Sequence, residues 1–391
     1  MDLKTSKIKV GIMADGLERK AMGSAIYLRN IIEQYLADFG DEIDLYLIYK
    51  EGQCQHELCG RAKSVSVKIL SLPKFAGFFS YLWLFVSTKN KFDIIHFSRP
   101  ALHPFFWLLK VFGKTKKIVV TFHGAPDNAS IPIFQTFATR FNRWFIISFG
   151  RFFIDAALAD SETAINQIAW YYKFPKNKIH SVYLGIGKEF LLASDKNILK
   201  KKLLEKYKIN FPYILGMGRM DPHKNTHRLL EAFFKLKKEG LPHELIIIGG
   251  EHEPEYSNLI KEILNGSEYK QAVKFIDFAD DEDLPAFYSL ADVFAFPSLS
   301  EGFGLPVLEA MACGTPVVTS NASCLPEIAG GAAVLADPYQ IGGIADAIRL
   351  AIKDINLKRE LVLKGIKRSG DFSWKKTAEG NFRLYKSVLT L

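Results

Sequence analysis

Two glutamates eight positions apart, Glu301 and Glu309, frame the run Gly302-Phe303-Gly304-Leu305-Pro306. The run follows an apolar segment, Val293 to Phe296, that reads as a buried strand. The two glycines mark a tight loop, and Pro306 suits the first turn of a helix, where its missing N–H costs nothing. The helix is expected to run to about Cys313 and stop at Gly314, with a short strand from Val317 to Ser320 after it. Glu301 then sits in a loop above a strand end, where open α/β sheets bind ligands. Glu309 is expected inside the helix, roughly two turns along. Carboxylates accept hydrogen bonds from hydroxyls, and a helix N-terminus with its positive dipole attracts oxyanions. A polyhydroxylated, anionic ligand fits both. For either acid alone the ordinary reading is a solvated side chain; the whole string argues for the paired role.

Three further positions carry chemistry. Arg219 and Lys224 lie five apart, around a glycine turn and the start of a helix after the strand beginning at Tyr213. A guanidinium binds phosphate as a fork and an ammonium binds it as a point charge, so the pair suits a diphosphate. A charged surface loop is the competing reading. His123 ends a strand in Thr121-Phe122-His123-Gly124, where it is placed to face a crevice or to serve as a structural histidine. Gly23-Ser24 opens a helix after the strand Ile8 to Ala14, a geometry that serves phosphate sites and ordinary loops alike.

Those residues need strands to hold them. Ile8 to Ala14, Ile43 to Tyr49, Val65 to Leu70, Phe92 to Phe97, Lys117 to His123, Ala156 to Asp160 and Ile179 to Leu184 are candidates in the first half. Glu244 to Gly250, Val273 to Phe278 and Ala333 to Asp337 add to those already named in the second. Alternation with helical stretches predicts an α/β chain with two doubly wound parallel sheets. Asp280 to Asp283 reads as a helix cap rather than a metal site. Gly342 to Lys353 and Leu357 to Gly370 read as plain surface helices, and Phe372 through Leu389 as an amphipathic one.

The 391 residues suffice for two domains, and 48% hydrophobic with 24% charged residues excludes a disordered chain. The four cysteines form no close pair, so neither zinc nor a disulfide framework is expected, and a reducing compartment is. No leader-like segment or membrane span is evident. Residues 1–190 carry 25 Lys+Arg against 16 Asp+Glu, whereas residues 191–391 carry 26 of each. The whole net +9 therefore lies in the first half, together with 20 of the 31 Phe. An anionic partner is implied: membrane lipid, a lipid-pyrophosphate acceptor or nucleic acid. Between Phe134 and Ala157, Arg140, Arg143 and Arg151 share a helical face bordered by Trp144 and Ile147, opposite Phe134, Phe141, Phe145, Phe149 and Phe152. A membrane-interface helix and a core-packed helix with a solvated face fit this equally. The apolar stretches Phe75 to Phe85 and Ala101 to Phe112 add to the membrane reading. The basic excess lacks the aromatic or zinc patterns of RNA-binding modules, so nucleic acid is not the expected partner.

The run Ser300 to Val318 resembles the Glu-x7-Glu signature of retaining glycosyltransferases of the glycogen-synthase-like family 4 and GT-B class, a group that includes bacterial mannosyltransferases. The order of elements is similar along nearly the whole chain. The resemblance implies a GT-B fold: two Rossmann-like domains facing across a cleft. Residues 1–188 would bind the acceptor, residues 189–372 the nucleotide-sugar, and helix 373–391 would cross back onto the first domain. It also implies roles. Arg219 and Lys224 hold the diphosphate, Glu309 the ribose, and Glu301 the sugar hydroxyls with backbone N–H groups of Phe303, Gly304 and Leu305. His123 contacts the sugar, and Gly23 lies in a loop that touches the donor phosphate or the acceptor. The chain departs from the family at Gly23-Ser24, where a Gly-Gly-type loop is usual, and at the hinge Gly185-Ile186-Gly187, where Asn-Gly-Val-Asp is usual.

The implied activity is a metal-independent transfer of a hexose with retention, mannose from GDP-mannose foremost, and no cofactor beyond the donor. The acceptor is expected to be a saccharide or polyprenyl-linked saccharide in polysaccharide or lipopolysaccharide synthesis. The expected location is cytoplasmic, with peripheral attachment to an anionic inner membrane face. A UDP-sugar enzyme of the same fold, an epimerase or phosphorylase, and a non-catalytic nucleotide-sugar-binding scaffold are the alternatives.

Overall fold

Short apolar runs rich in β-branched and aromatic residues form two parallel sheets, because strands covered by helices on both faces need not alternate with polar residues. The computed structural model describes residues 7–14, 17, 23–50, 56–67, 89–99, 107–124, 144, 147–193 and 195–390. The first sheet holds β1 (Ile8–Met13), β2 (Ile43–Lys50), β3 (Lys63–Val67), β4 (Phe92–Phe97), β5 (Thr115–Phe122), β6 (Ala156–Ala159) and β7 (Ile179–Ser181), in the order β3-β2-β1-β4-β5-β6-β7. The second holds β8 (Tyr213–Met217), β9 (Glu244–Ile248), β10 (Val273–Ile276), β11 (Val293–Phe296), β12 (Val317–Ser320) and β13 (Val334–Ala336), in the order β10-β9-β8-β11-β12-β13. Both orders reverse once, between β1 and β4 and between β8 and β11. Such switch points leave a crevice at the carboxyl ends of the strands.

Helices α1 (Gly23–Asp38), α2 (Leu58–Arg61), α3 (Leu108–Val111) and α4 (Glu162–Tyr172) accompany the first sheet. Helices α5 (Lys196–Tyr207), α6 (Thr226–Lys238), α7 (Pro254–Asn265), α8 (Leu284–Leu290), α9 (Leu305–Ala312), α10 (Leu325–Ala329), α11 (Ile341–Lys353) and α12 (Ile355–Ser369) accompany the second. Helix α13 (Trp374–Thr390) closes the chain. Contacts divide the molecule into two units: the described residues up to Gly185 together with α13, and Ile186–Ser373. In the first unit Ile95, Ile118, Val120, Phe122 and Ile168 pack as one core. Helix α13 lies on α1, with Phe382 edge-on to Phe39 at 5.2 Å. In the second unit Ile214, Leu230, Phe233, Ile247 and Val318 do the same, with Ile344 and Ile348 of α11.

Several expectations change. Helix α11 is not a plain surface helix, since Ile344, Ala345, Ile348 and Ala351 are fully buried. Helix α12 is not one either: Gly365 lies against Met311 of α9, close enough that a Cβ there would fall 3.1 Å from its side chain. Asp283 is the N-cap residue of α8, as expected, but its side chain makes no capping hydrogen bond. Its buried carboxylate instead takes Lys202, Lys206 and the Tyr207 hydroxyl, because two cations from α5 offer more than one helix N–H. Cys59 is disulfide-bonded, where no disulfide framework was expected. Sequence spacing does not report a through-space distance. Cys313 and Cys324 are buried and take part in no disulfide.

The stretch Phe75 to Phe85, most of Ala101 to Phe112, the loop before Gly23 apart from Leu17, and Arg140, Arg143, Phe134, Phe141 and Phe145 lie outside the described residues. Among the described residues no helix is long and apolar enough to cross a membrane.

Candidate functional site

Strand β8 delivers Gly218 at φ +132°, and a Cβ there would fall within 3.0 Å of the Lys224 side chain. Only glycine leaves room for that lysine to lie over the turn. The helix start expected around Lys224 is instead a 3-10 turn, Pro222–Lys224, and α6 begins at Thr226. Asn225 between them is left-handed (φ 60°) and fully buried. Its amide donates to the carbonyls of Pro297 (2.9 Å) and Pro338 (2.7 Å), and its oxygen accepts from Arg228 at 2.9 Å. One side chain thereby pins the lysine turn to the segments following β11 and β13, and buried groups so matched hold one geometry.

Across the switch point, the Lys224 ammonium meets Glu301 Oε1 at 2.7 Å. The Ser298 hydroxyl lies 2.7 Å from the same oxygen and 2.8 Å from the His223 carbonyl, and its single proton serves one at a time. Burial opposes ionisation of Glu301, but Lys224 and His223 outweigh it with the hydrogen bonds from Lys224 and Ser298. The carboxyl is held below its ordinary range. The Glu301 backbone is fixed too, its N–H donating to Ser323 Oγ at 3.1 Å.

Arg219 stands beside this pair on the same turn. Its guanidinium is half exposed and reaches Asp221 at 3.3 Å. Asp221 is buried, and its other oxygen takes His252 Nδ1 at 2.5 Å. One carboxylate thus orients a guanidinium and an imidazole. Ligand atoms of Asp221, His252 and Glu253 come within 4.8 Å of one another, as do those of Asp280, Glu282 and Asp283. A divalent ion at either cluster would have to displace cations already engaged, Arg219 at the first and Lys202 and Lys206 at the second.

Gly304 enters α9 at φ +98°, packed so that a Cβ would fall 2.7 Å from Leu325. Phe303 is a core anchor, edge-on to Phe372 at 5.7 Å, which leaves only its backbone for a ligand. Leu305 begins the helix, where first-turn N–H groups lack an intrahelical acceptor. Glu309 is therefore the fifth helical residue, little more than one turn in rather than two. It is buried, and the Tyr288 hydroxyl donates to it at 2.7 Å. Burial pushes its carboxyl up to about 7; the Tyr288 bond works against this, and the charges of Glu189 and Asp281 add to it.

The remaining two candidates belong to the other unit. Gly23 is the first residue of α1, and a Cβ there would meet nothing within 4 Å, so its backbone position makes no steric demand for glycine. His123 follows β5. Its Nδ1 lies 2.8 Å from Asp160 Oδ2, after β6, and its Nε2 lies 2.9 Å from the Ser98 carbonyl, after β4. Both nitrogens face acceptors, so both carry protons when both bonds are made. Burial opposes that charge, but Asp160 outweighs it and the pKa is raised.

Sequence reading passed over Asp160, Tyr288, Ser298, Asp221 and His252. The first four each touch a candidate residue, and His252 touches Asp221. Asp160, directly after an apolar strand, and Ser298, three residues before Glu301, carried a weak positional signal; Tyr288 inside an apolar helix carried none.

Residues 23–190 match the family model described as Glycosyltransferase Family 4, and residues 198–368 match Glycosyl transferases group 1. O-antigen chain mannosyltransferase B of Escherichia coli is 30% identical over 230 residues, 59% of this chain and 60% of that protein. Serotype-specific mannosyltransferase WbdA of Escherichia coli is 31% identical over 239 residues, 60% of this chain and 29% of that protein. The matched stretch thus spans less than two thirds of either relative. The Anabaena HepE structure with UDP and glucose superposes with a TM-score of 0.77 at 17% identity, covering 98% of this chain and all of that one, which establishes the shared fold. With a family match on each half and two parallel Rossmann-like sheets, this chain belongs to the family 4 glycosyltransferases of GT-B fold.

Proposed function

We propose that this chain is a retaining glycosyltransferase, moving a hexose from a nucleotide-sugar to a saccharide or lipid-linked acceptor in cell-surface polysaccharide synthesis. Mannose from GDP-mannose is the favoured donor, in keeping with about 30% identity to two proteins named as mannosyltransferases. The observation that carries the reading is the Lys224–Glu301 pair at the switch point of β8 and β11, with Arg219 beside it. Arg219 and Lys224 would hold the diphosphate and stabilise its charge as it leaves, without a metal ion. Glu301 and the backbone of Phe303 to Leu305 would take sugar hydroxyls, and Glu309 the ribose. The bond from the anomeric carbon to the diphosphate breaks and the electron pair leaves on phosphate oxygen. The acceptor oxygen bonds to that carbon on the same face and passes its proton to the departing oxygen. His123, already holding two acceptors, would act as a fixed positive group near the sugar.

A thermal-shift panel with GDP, UDP, ADP, dTDP and their sugar conjugates tests this on wild type and Arg219→Ala. The expected result is stabilisation by guanine nucleotides that the variant loses. Stabilisation by uridine nucleotides alone would move the donor to a UDP-sugar. No stabilisation by any would overturn the donor site, and binding without transfer would favour the scaffold alternative.

The basic half would carry the acceptor side at an anionic membrane face. Phe112, Trp144 and Phe152 are each more than half exposed in that unit, and the Arg151 guanidinium lies 5.0 Å from the Phe152 ring. Aromatic rings flanked by cations suit a lipid headgroup layer. Sedimentation should show binding to anionic vesicles that falls with salt; equal partitioning onto neutral vesicles at high salt would defeat the idea.

A further inference from the structure

Helix α13 buries polar side chains where an amphipathic helix needs only apolar ones. Asn381 is 1% exposed and Tyr385 fully buried, one turn apart on the face toward the first sheet. The Asn381 amide donates to the Tyr27 hydroxyl of α1 at 2.9 Å. That hydroxyl accepts there, and it also lies 3.2 Å from Thr121 Oγ1 of β5, where either group can donate. Thr121 Oγ1 is 2.7 Å from His96 Nε2, and His96 Nδ1 is 2.6 Å from the Tyr385 hydroxyl. The run leads from α13 through α1, β5 and β4 and back to α13. Burial, with the nearby charge of His123, pushes the His96 pKa down to about 3, so this imidazole stays neutral and its two nitrogens keep distinct roles.

The Tyr27 ring also stands edge-on to the His123 ring, with centroids 5.0 Å apart at 68°. Tyr27 is 2% exposed, so the ring has one seat and its hydroxyl bonds decide how firmly it is held. Asp160 and Ser98 fix His123 in the plane of its ring. They do not by themselves restrain it from tipping out of that plane, and the Tyr27 ring is packed against it.

We propose that Asn381 and Tyr27 are positioning residues for His123, with the Asn381–Tyr27 hydrogen bond clamping the aromatic ring that keeps the imidazole seated on Asp160 and Ser98. The C-terminal helix thereby sets the geometry of a group more than 250 positions earlier in the chain. The importance of that geometry for transfer rests on the reading given under Proposed function; the clamp itself does not.

The test uses the full chain labelled with ¹⁵N-histidine, wild type, Asn381→Leu, Tyr27→Phe and Thr377→Val. Thr377 donates to the Tyr183 carbonyl at 2.8 Å and serves as a docking bond of the same helix outside the clamp. Wild type should show two protected ring N–H signals for His123. Asn381→Leu and Tyr27→Phe should lose or broaden them and lower kcat about tenfold with little change in donor KM. Thr377→Val should leave the signals in place. Should Asn381→Leu not fold, Tyr27→Phe removes only the hydroxyl and decides alone. Unchanged His123 signals in a folded clamp variant, or equal loss in Thr377→Val, would overturn the proposal. Loss of the signals with kcat unchanged would leave the clamp standing and overturn the role of His123 in transfer.

Discussion

The carboxyl ends of the two sheets hold cations in contrasting ways. At the first, His123 uses both of its donors on Asp160 and Ser98. At the second, the Lys224 ammonium has three donors, meets Glu301 at 2.7 Å and lies 5.1 Å from the Phe296 ring centroid, while the Arg219 guanidinium beside it is half exposed. Strand order is shared, so topology does not make the difference. The number of acceptors does. A cation whose donors are all used is a fixture, and its charge acts through space. A cation with donors to spare, held by one carboxylate, can share itself with an arriving anion. On the proposed function, that contrast would put exchange of a charged ligand in the second unit and a fixed electrostatic contribution in the first.

The largest effect expected from breaking this comparison is at Lys224. Lys224→Ala should remove nucleotide stabilisation and lower transfer by about 10²–10³-fold, as deleting one charge-stabilising group does. It should also lower thermal stability, because Glu301 is left largely buried without its partner. Asp160→Asn should show the opposite balance, a clear loss of stability with nucleotide stabilisation retained. Equal losses of nucleotide stabilisation in the two variants, in parallel thermal shifts, would erase the distinction.

A smaller effect sharpens the picture within the second unit. Its two carboxyls are displaced in opposite directions, Glu301 downward and Glu309 up to about 7. Folded Glu309 keeps its proton where the unfolded chain has released one near the usual 4.5. Its contribution to stability is present below that range and is lost as pH rises toward 7. Glu301 does the reverse, contributing above the usual range and losing its contribution as pH falls below it. Urea unfolding across pH should therefore show a decline between about 4.5 and 7 that Glu309→Gln flattens. A slope unchanged in that variant would place the buried proton elsewhere.

Much of the frame was legible in order along the chain. Val293 to Phe296 and Val317 to Ser320 are strands over the residues their apolar runs mark, and Pro306 and Gly314 bound the helix between them. Asp283 was read from its neighbours as a cap and stands at that position, but its side chain does not cap the helix, because Lys202 and Lys206 reach it from about eighty positions away. The site divides in the same way. The residue types at Arg219, Lys224, Glu301 and Glu309 could be named from spacing. That Lys224 rests on Glu301, and that Glu309 shares the hydroxyl of Tyr288, could not.

The sequence by itself determined the two parallel sheets, the signature loop and helix, and the uneven charge between the halves. Those depend on backbone periodicity and composition, which act over a few residues or over whole segments. The tertiary structure alone decided which donors are spent and which are spare: His123 on Asp160, Lys224 on Glu301, and Asn381 on Tyr27 across 354 positions. Packing makes those choices, because a buried polar group takes whatever partner the fold brings within 3 Å, and chain separation places no limit on that.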